Sequence, residues 1–561
     1  MTRPLRSAAA DSPHRRAHWY QLGLSEADMD KPKIAVVNSS SELAVCYAHL
    51  DGVAKVVKDA IRQAGGIPFE VRTTAPSDFI TGAGKRGAYM LSARDLVTND
   101  IEAQVEAAML DGMVCLTSCD KTPPGHMMAA GRLDIPTILV IGGYQASGMI
   151  DGAHVDLEDL WSGTVGTRFG KPLPHDKDEM IRQAIRGPGV CAGMATANTM
   201  HSVVEAIGMS LPGSAPVRAN SRKMFDSARE SGRRIVEMVM EDLTPRRIMT
   251  PGAFRNAVAT VLAVSGSINA IKHLQAVAVE SGVDVDIFRL WDEVGRQVPI
   301  LSAVRPSGEV RIEAFEDAGG ARAILKQMEP LLDLDALTCS GKRMGELLAD
   351  YVVPDPEIIR PLADPVSPGP SIAILKGSLA PESAVVKLGI RDGTRPEFFE
   401  GPARCFENNI ACLDAIAKGE VKAGDVVILR GQGLKGGPAM AGGASTVLFA
   451  LDAAGIARET AFVTDCQLSG LCLKGLTVAE VAPESAAGGP LGLVEDGDRV
   501  RIDVASRSLD LLVDPAVLAT RAPKSAAPAD GYLGQYQREV RPMSSGAVLV
   551  EQPGAPAEAG A

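Results

Sequence analysis

Apolar residues in the first part of the chain fall into short continuous runs separated by stretches of helical period. Residues 34–38 (IAVVN), 113–117 and 137–141 are apolar runs of strand length, the pattern of strands covered on both faces. From Val53 the positions Val53, Val56, Val57, Ala60 and Ile61 repeat at the spacing of one helix face, and Gly65 and Gly66 stop that helix. Between the second and third strands, Pro124 and Gly125 lead into a helical stretch, MMAAGRL. Strands spaced by helices of this size predict an α/β domain, a doubly wound parallel sheet with added helices. Beyond Ala197 the pattern turns mostly helical, as at 256–264 and 266–277.

The texture changes at 351–370, which carries Pro354, Pro356, Pro361, Pro365, Pro368 and Pro370, too many for the interior of an element. After it come short strand-like runs at 371–375, 426–429, 461–464 and 499–504, with glycine-rich turns and one helix near 408–418. These predict a compact, β-barrel-like second domain. The expected organisation is an N-terminal extension (1–30), the α/β domain (31–350), a proline-rich linker (351–370), the barrel-like domain (371–549) and a disordered tail (550–561).

Charge narrows the partners. With 57 Lys+Arg against 69 Asp+Glu the net charge is −12, so neither nucleic acid nor an anionic membrane surface is attracted at long range. No apolar run reaches the length of a membrane-spanning helix. The basic N-terminus lacks the apolar stretch of a secretory signal, so the cytoplasm is the expected compartment. Nine cysteines, an odd number in a long chain, argue against a disulfide framework.

The densest chemistry lies in 118–130, SCDKTPPGHMMAA, which follows a strand and precedes a helix. Cys119, Asp120 and Lys121 therefore fall at the C-terminal end of a sheet strand, where open α/β sheets bind ligands. A thiolate suits iron or zinc and a carboxylate suits magnesium or manganese, yet the same residues also make an ordinary polar turn with one buried cysteine. Cys46 lies in ELAVCYAHL after the first strand, with His49 nearby, and Cys191 lies in the glycine-flanked GPGVCAGMATANTM. Neither has a CxxC partner, which excludes zinc-finger logic. Three cysteines at the ends of separate elements can still meet at an iron–sulfur cluster that keeps one iron position open as a Lewis acid.

From CDKTPPGHMMAA onward, the chain resembles the dihydroxy-acid and sugar-acid dehydratase family. The resemblance continues in order through CAGMATANTMHSVVEAIGMSLPGSAP, NAVATVLAVSGSINAIKHL, PSIAILKGSLAPESAVVK, GDVVILRGQGLKGGP and the closing MSSGAVL. It implies a hydro-lyase that dehydrates a 2,3-dihydroxy acid to a 2-keto acid, a step of branched-chain amino acid biosynthesis, and a homodimer or dimer of dimers. By the same resemblance Cys46, Cys119 and Cys191 match cluster ligands, of a 2Fe–2S cluster rather than 4Fe–4S. Asp78, Asp120 and Lys121, the lysine as a carbamate, match a magnesium site, and Ser469 matches the catalytic base.

Two departures bear on substrate. Where the family has a sequence close to DGRFSGG, this chain has Asp465-Cys466-Gln467-Leu468-Ser469-Gly470-Leu471, so a fixed positive charge is absent at Gln467. Gly442 stands where the family has a glutamate that completes the magnesium site. A sugar-acid dehydratase acting on a pentonate or hexonate is the alternative enzyme, and a non-catalytic homologue the alternative class. The retained cysteines, carboxylates, lysine and serine favour dehydration. The glycine-rich RGQGLKGGP lacks the GxxxxGK[ST] order of a phosphate cradle.

Overall fold

A computed structural model describes residues 5–550 apart from 392, 394, 438, 440, 441, 469–473, 524 and 525. The strands β1 (Lys33–Asn38), β2 (Ile67–Arg72), β3 (Gly112–Thr117) and β4 (Thr137–Ile141) form an all-parallel sheet in the order β2-β1-β3-β4. β1, β3 and β4 are buried along their whole length, which is why each is a continuous apolar run. β2 is an edge strand and, unlike the opposite edge β4, is only half-buried, and its Pro68, Glu70 and Arg72 break the apolar run that would have announced it.

Helices cover this sheet and extend it into a large helical body. The Leu50–Gln63 helix buries Val53, Val57, Ala60 and Ile61, the face expected from its period. It crosses the Arg222–Glu241 helix so closely that a Cβ on Gly232 would lie 2.7 Å from the Val57 carbonyl. Helices Thr196–Ala206, Pro251–Ala263 and Asn269–Ser281 are buried on nearly all sides. Among the described residues no helix is long and apolar enough to cross a membrane.

A small hairpin, β5 (Gly148–Ile150) and β6 (Ala153–Val155), precedes the helical body. The proline-rich stretch then runs back along it, with Arg360 N–H donating to Leu301 O at 2.8 Å. Beyond it lie β7 (Ile372–Leu375), β8 (Ser383–Lys387), β9 (Phe398–Phe406), β10 (Val426–Leu429), β11 (Ala461–Thr464), β12 (Leu476–Ala482), β13 (Arg499–Asp503) and β14 (Ser508–Leu511). They form one mixed sheet, β14-β13-β9-β10-β11-β12-β8-β7. Lys376, just past β7, pairs with Ser508 at the start of β14, and Leu509 N–H donates to Lys376 O at 3.1 Å. That bridge joins the two end strands, so the sheet is nearly barrel-shaped around Val386, Ile428, Val463, Val478 and Val500.

The helix Asn409–Ala417 connects β9 to β10, and Gly442–Ala453 connects β10 to β11. The latter was not legible in the sequence. Its ASTVLFALDA stretch is apolar around most of the circumference and carries no helical period.

Candidate active site

The C-terminal ends of the parallel strands bring the predicted residues together. Cys46 lies in a one-turn helix, Val45–Ala48, after β1, and Asp78 opens the Asp78–Thr81 helix after β2. Cys119, Asp120 and Lys121 follow β3 directly. Cys119 takes a left-handed backbone, φ +57°, which turns the chain sharply between strand and helix. That turn is pinned twice: Ser118 N–H donates to Thr122 Oγ1 at 2.8 Å, and Ser118 Oγ donates to Cys46 O at 2.6 Å. The second bond ties the Cys46 and Cys119 loops to each other. Cys191 lies beyond Val190, which pairs with Tyr144 at the end of the β4 connection. Asn198 Nδ2 donates to Cys191 O at 2.9 Å and to Gly193 O at 2.8 Å, fixing that loop.

The three thiols share one neighbourhood. Cys46 Sγ donates to Ser77 Oγ at 3.8 Å, and the neighbouring Cys119 holds the Cys46 thiol below its ordinary range while Cys119 itself is pushed well up. Burial, and then the negative charges of Asp120 and Cys46, push the Cys191 thiol up. Beside them lies a carboxylate–amine group. Lys121 is fully buried, and its Nζ donates to Asp78 Oδ2 at 2.8 Å and Oδ1 at 3.1 Å, with Asp120 Oδ2 at 3.9 Å. Burial alone would lower the Lys121 pKa, but Asp78 and then Asp120 outweigh it and hold it raised. Burial, and then the charge of Asp78, push Asp120 up to about 7. Thr196 steadies Asp120 by a hydrogen bond, and Asn269 Nδ2 donates to Thr196 Oγ1 at 2.8 Å.

A cavity of about 510 Å³ opens on this group and is lined by Asp78, Cys119, Asp120 and Cys191. Much of the rest of its lining is apolar: Phe79, Met90, Leu157, Leu160 and Trp161. Trp161 stands edge-on to Phe79, with centroids 6.2 Å apart, and to Phe449 of the second domain, 5.1 Å apart. Asp156 and Glu158 also line it, beside Arg305. Burial, and then Asp156 and Asp159, push Glu158 up to about 8. His154, Asp156 and Asp159 cluster near the start of the Leu157–Thr167 helix, but their oxygens are engaged. Asp156 Oδ1 accepts from Glu158 N and Asp159 N, Asp156 Oδ2 meets His154 Nε2 at 2.9 Å, and Arg305 Nη2 reaches Asp159 Oδ1 at 3.3 Å.

Other polar groups of the sequence resolve into structural roles. His49 Nε2 contacts Gly142 O at 2.7 Å, and burial lowers its pKa. His126 is fully buried and pushed down to about 3 by burial. In the RGQGLKGGP loop the amides of Gly431 and Gln432 donate to the Asp465 carboxylate at 3.0 and 2.9 Å, and Lys435 N donates to Glu484 at 2.6 Å. Protein carboxylates thus occupy the amides a phosphate would need. The second domain's Gln467 is fully buried with neither side-chain amide atom hydrogen-bonded among the described residues, and Cys466 is buried next to it. Ser469, the predicted base, and Cys472 lie outside the described residues. Gly442 begins a helix.

Several residues of this centre were not singled out from the sequence. Thr196 and Asn269 stand inside the ATANTM and SINAIKHL segments, so their signal was the segment and not the residue type. Trp161, Glu158 and Arg305 had no local signal. Nor did the fully buried pair Lys272 and Glu480, whose Nζ and Oε1 lie 2.8 Å apart and join the two domains.

Comparison with known proteins adds the family. A model described as dihydroxy-acid/6-phosphogluconate dehydratase N-terminal matches residues 31–347, and its C-terminal counterpart matches 357–547. The chain is 39% identical over 549 residues to dihydroxy-acid dehydratase 1 of Methanosarcina acetivorans, covering 96% of this chain and 99% of the relative. It is 40% identical over 550 residues to the dihydroxy-acid dehydratase of Ignicoccus hospitalis, covering 96% and 98%. With that of Pyrococcus abyssi it shares 38% over 545 residues, again 96% and 98%.

Proposed function

Because the chain belongs to the dihydroxy-acid/6-phosphogluconate dehydratase family and is a hydro-lyase, we propose that it converts a 2,3-dihydroxy carboxylic acid into a 2-keto acid. In this reading Cys46, Cys119 and Cys191 hold an iron–sulfur cluster, 2Fe–2S, while Asp78, Asp120 and Lys121 hold magnesium. The observation that supports it is one cavity lined by Cys119, Cys191, Asp78 and Asp120, with Cys46 beside Cys119 and Lys121 hydrogen-bonded to Asp78. The donor set fits both groups. Three thiols from separate loops suit iron, and two carboxylates, Asp78 close enough to raise Asp120, suit a hard divalent cation.

Bound there, the cluster and ion supply Lewis acidity, easing departure of the C3 hydroxyl and stabilising charge on the C1 carboxylate and C2 oxygen. The chain's own residues do the rest. Thr196 and Asn269 keep the Asp120 carboxylate oriented, and the Asp78–Lys121 pair keeps Asp78 turned into the cavity floor. A carbamylated Lys121 would exchange a donor for oxygen ligands and lose its positive charge. Ser469, which falls between β11 and β12 in the sequence, takes the C2 proton as an alkoxide. The C2–H bond and the C3–O bond break, the proton taken up by Ser469 passes to the departing hydroxide to form water and restore the alkoxide, and the resulting enol tautomerises to the 2-keto acid. The protein is proposed to act as a cytoplasmic homodimer.

The test is anaerobic reconstitution with iron and sulfide, followed by 2-keto acid detection with 2,3-dihydroxyisovalerate in the presence of magnesium. Iron binding with keto acid formation supports the proposal; a reconstituted protein that binds no iron overturns it.

A further inference from the structure

The cavity is larger and less polar than the smallest member of its substrate class requires. A water's share of liquid volume is roughly 30 Å³. At about 510 Å³ the cavity therefore admits on the order of seventeen water-sized groups. A branched five-carbon dihydroxy acid has nine non-hydrogen atoms, and a dinuclear cluster with one cation adds a handful more. Covalently bonded atoms pack closer than waters do, so space is left over.

What surrounds that space limits what can fill it. Asp78, Cys119, Asp120 and Cys191 belong to the reacting end. Of the further lining, Phe79, Met90, Leu157, Leu160 and Trp161 are apolar. Phe79 is about half-exposed (51%), whereas the Phe449 ring that backs Trp161 is buried, so the aromatic group is supported from the second domain and open toward the cavity. A sugar acid needs a partner for each hydroxyl along its chain, and burying those hydroxyls against these side chains would leave them unsatisfied. A terminal phosphate needs cations. Arg305 is the one cation among the described lining residues, and it is engaged by Asp159 at 3.3 Å and Glu309 at 3.5 Å, with Asp156 and Glu158 beside it.

We propose that the substrate is a 2,3-dihydroxy acid whose C3 substituent is a bulky hydrocarbon or aromatic group, seated against Phe79, Leu160 and Trp161. This rests on the dehydratase reading and specifies its substrate. The position of that substituent follows from continuity: the same cavity holds the residues of the reacting end and Phe79, Leu160 and Trp161, so an acid anchored there reaches the apolar side chains by extending along the cavity.

The test separates binding from turnover. Reconstituted holoenzyme is titrated anaerobically, by calorimetry, with 2,3-dihydroxyisovalerate, 2,3-dihydroxy-4-phenylbutanoate, gluconate and 6-phosphogluconate, and keto acid formation is measured in parallel. The phenyl compound is expected to bind at least about tenfold tighter than the five-carbon acid, the gain of burying added apolar surface. Leu160→Trp, which narrows the cavity, is expected to erase that preference. Trp161→Phe serves as the milder variant and should reduce the preference without erasing it. Equal or tighter binding of the five-carbon acid, gluconate or 6-phosphogluconate overturns the inference. Preferred binding of the phenyl compound with no keto acid from any of the four upholds the pocket assignment and sinks the dehydration reading instead.

Discussion

Removing either member of the buried Lys272–Glu480 pair should cost far more than removing both. Lys272 comes from the Asn269–Ser281 helix and Glu480 from β12, where its backbone is left-handed at φ +53°. Their 2.8 Å contact is fully buried on both sides, and among the described residues Glu480 Oε2 has no hydrogen-bond partner. Burial pulls Lys272 down to about 8 even though Glu480 acts to raise it. Glu480→Gln or Lys272→Met therefore strands one group without its counter-charge, at about 3–5 kcal/mol each. Lys272→Met with Glu480→Leu removes both charges into apolar side chains and should return stability to within about 1 kcal/mol of the parent.

The pH dependence has a definite sign. The unfolded chain holds the Lys272 proton up to its ordinary pKa of 10.5, the folded chain only to about 8. Between those values the unfolded state binds more protons, so this group's contribution to stability rises with pH across that window and its penalty is complete below pH 8. Urea unfolding at pH 7.5 and 9.5, followed by tryptophan fluorescence, reads both effects. Single variants that cost under about 1 kcal/mol, or a double variant that simply sums two large losses, would refute the reasoning.

Gly131→Ala should destabilise by about 1–3 kcal/mol, because its Cβ would lie 2.9 Å from Ser281 Cα and against that side chain; thermal melting checks this, and Ser281→Gly should recover part of the loss. Glu484 is pushed up to about 8 by burial, so its folded pKa lies above the unfolded 4.5 and stability from this group falls as pH rises through that interval. Glu484→Gln should accordingly gain on the parent between pH 6 and pH 9 in urea midpoints. Cys119→Ser should abolish iron retention after reconstitution while far-ultraviolet circular dichroism stays unchanged, and iron retained at the parental level would exclude Cys119 as a ligand.

Much of the first domain was legible because fully buried strands have no choice but to be apolar: β1, β3 and β4 announced themselves, and the Leu50–Gln63 helix showed its face at Val53, Val57 and Ile61. β2 did not, since an edge strand tolerates Pro68 and charged side chains. The second domain was legible as β-rich but not as a sheet with crossover helices, because burial all round removes the helical period from 442–453. At the centre, Cys119, Asp120 and Lys121 were readable from their place at a strand end. The meeting of Cys46, Asp78 and Cys191 with them depended on strand order, which local patterning does not carry. The Lys272–Glu480 pair spans 208 positions, and nothing in either segment alone marks it.

The central claim is that three thiols from separate loops create an iron centre at which a dihydroxy acid loses water. Iron and acid-labile sulfide should be quantified in anaerobically purified protein, alongside 2-keto acid formation, for the parent and for Cys46→Ser, Cys119→Ser and Cys191→Ser. The account predicts a coloured, iron-containing parent that forms keto acid, with colour, iron and product lost together in each variant. Product formed by an iron-free protein, or iron unaffected by all three substitutions, would contradict it.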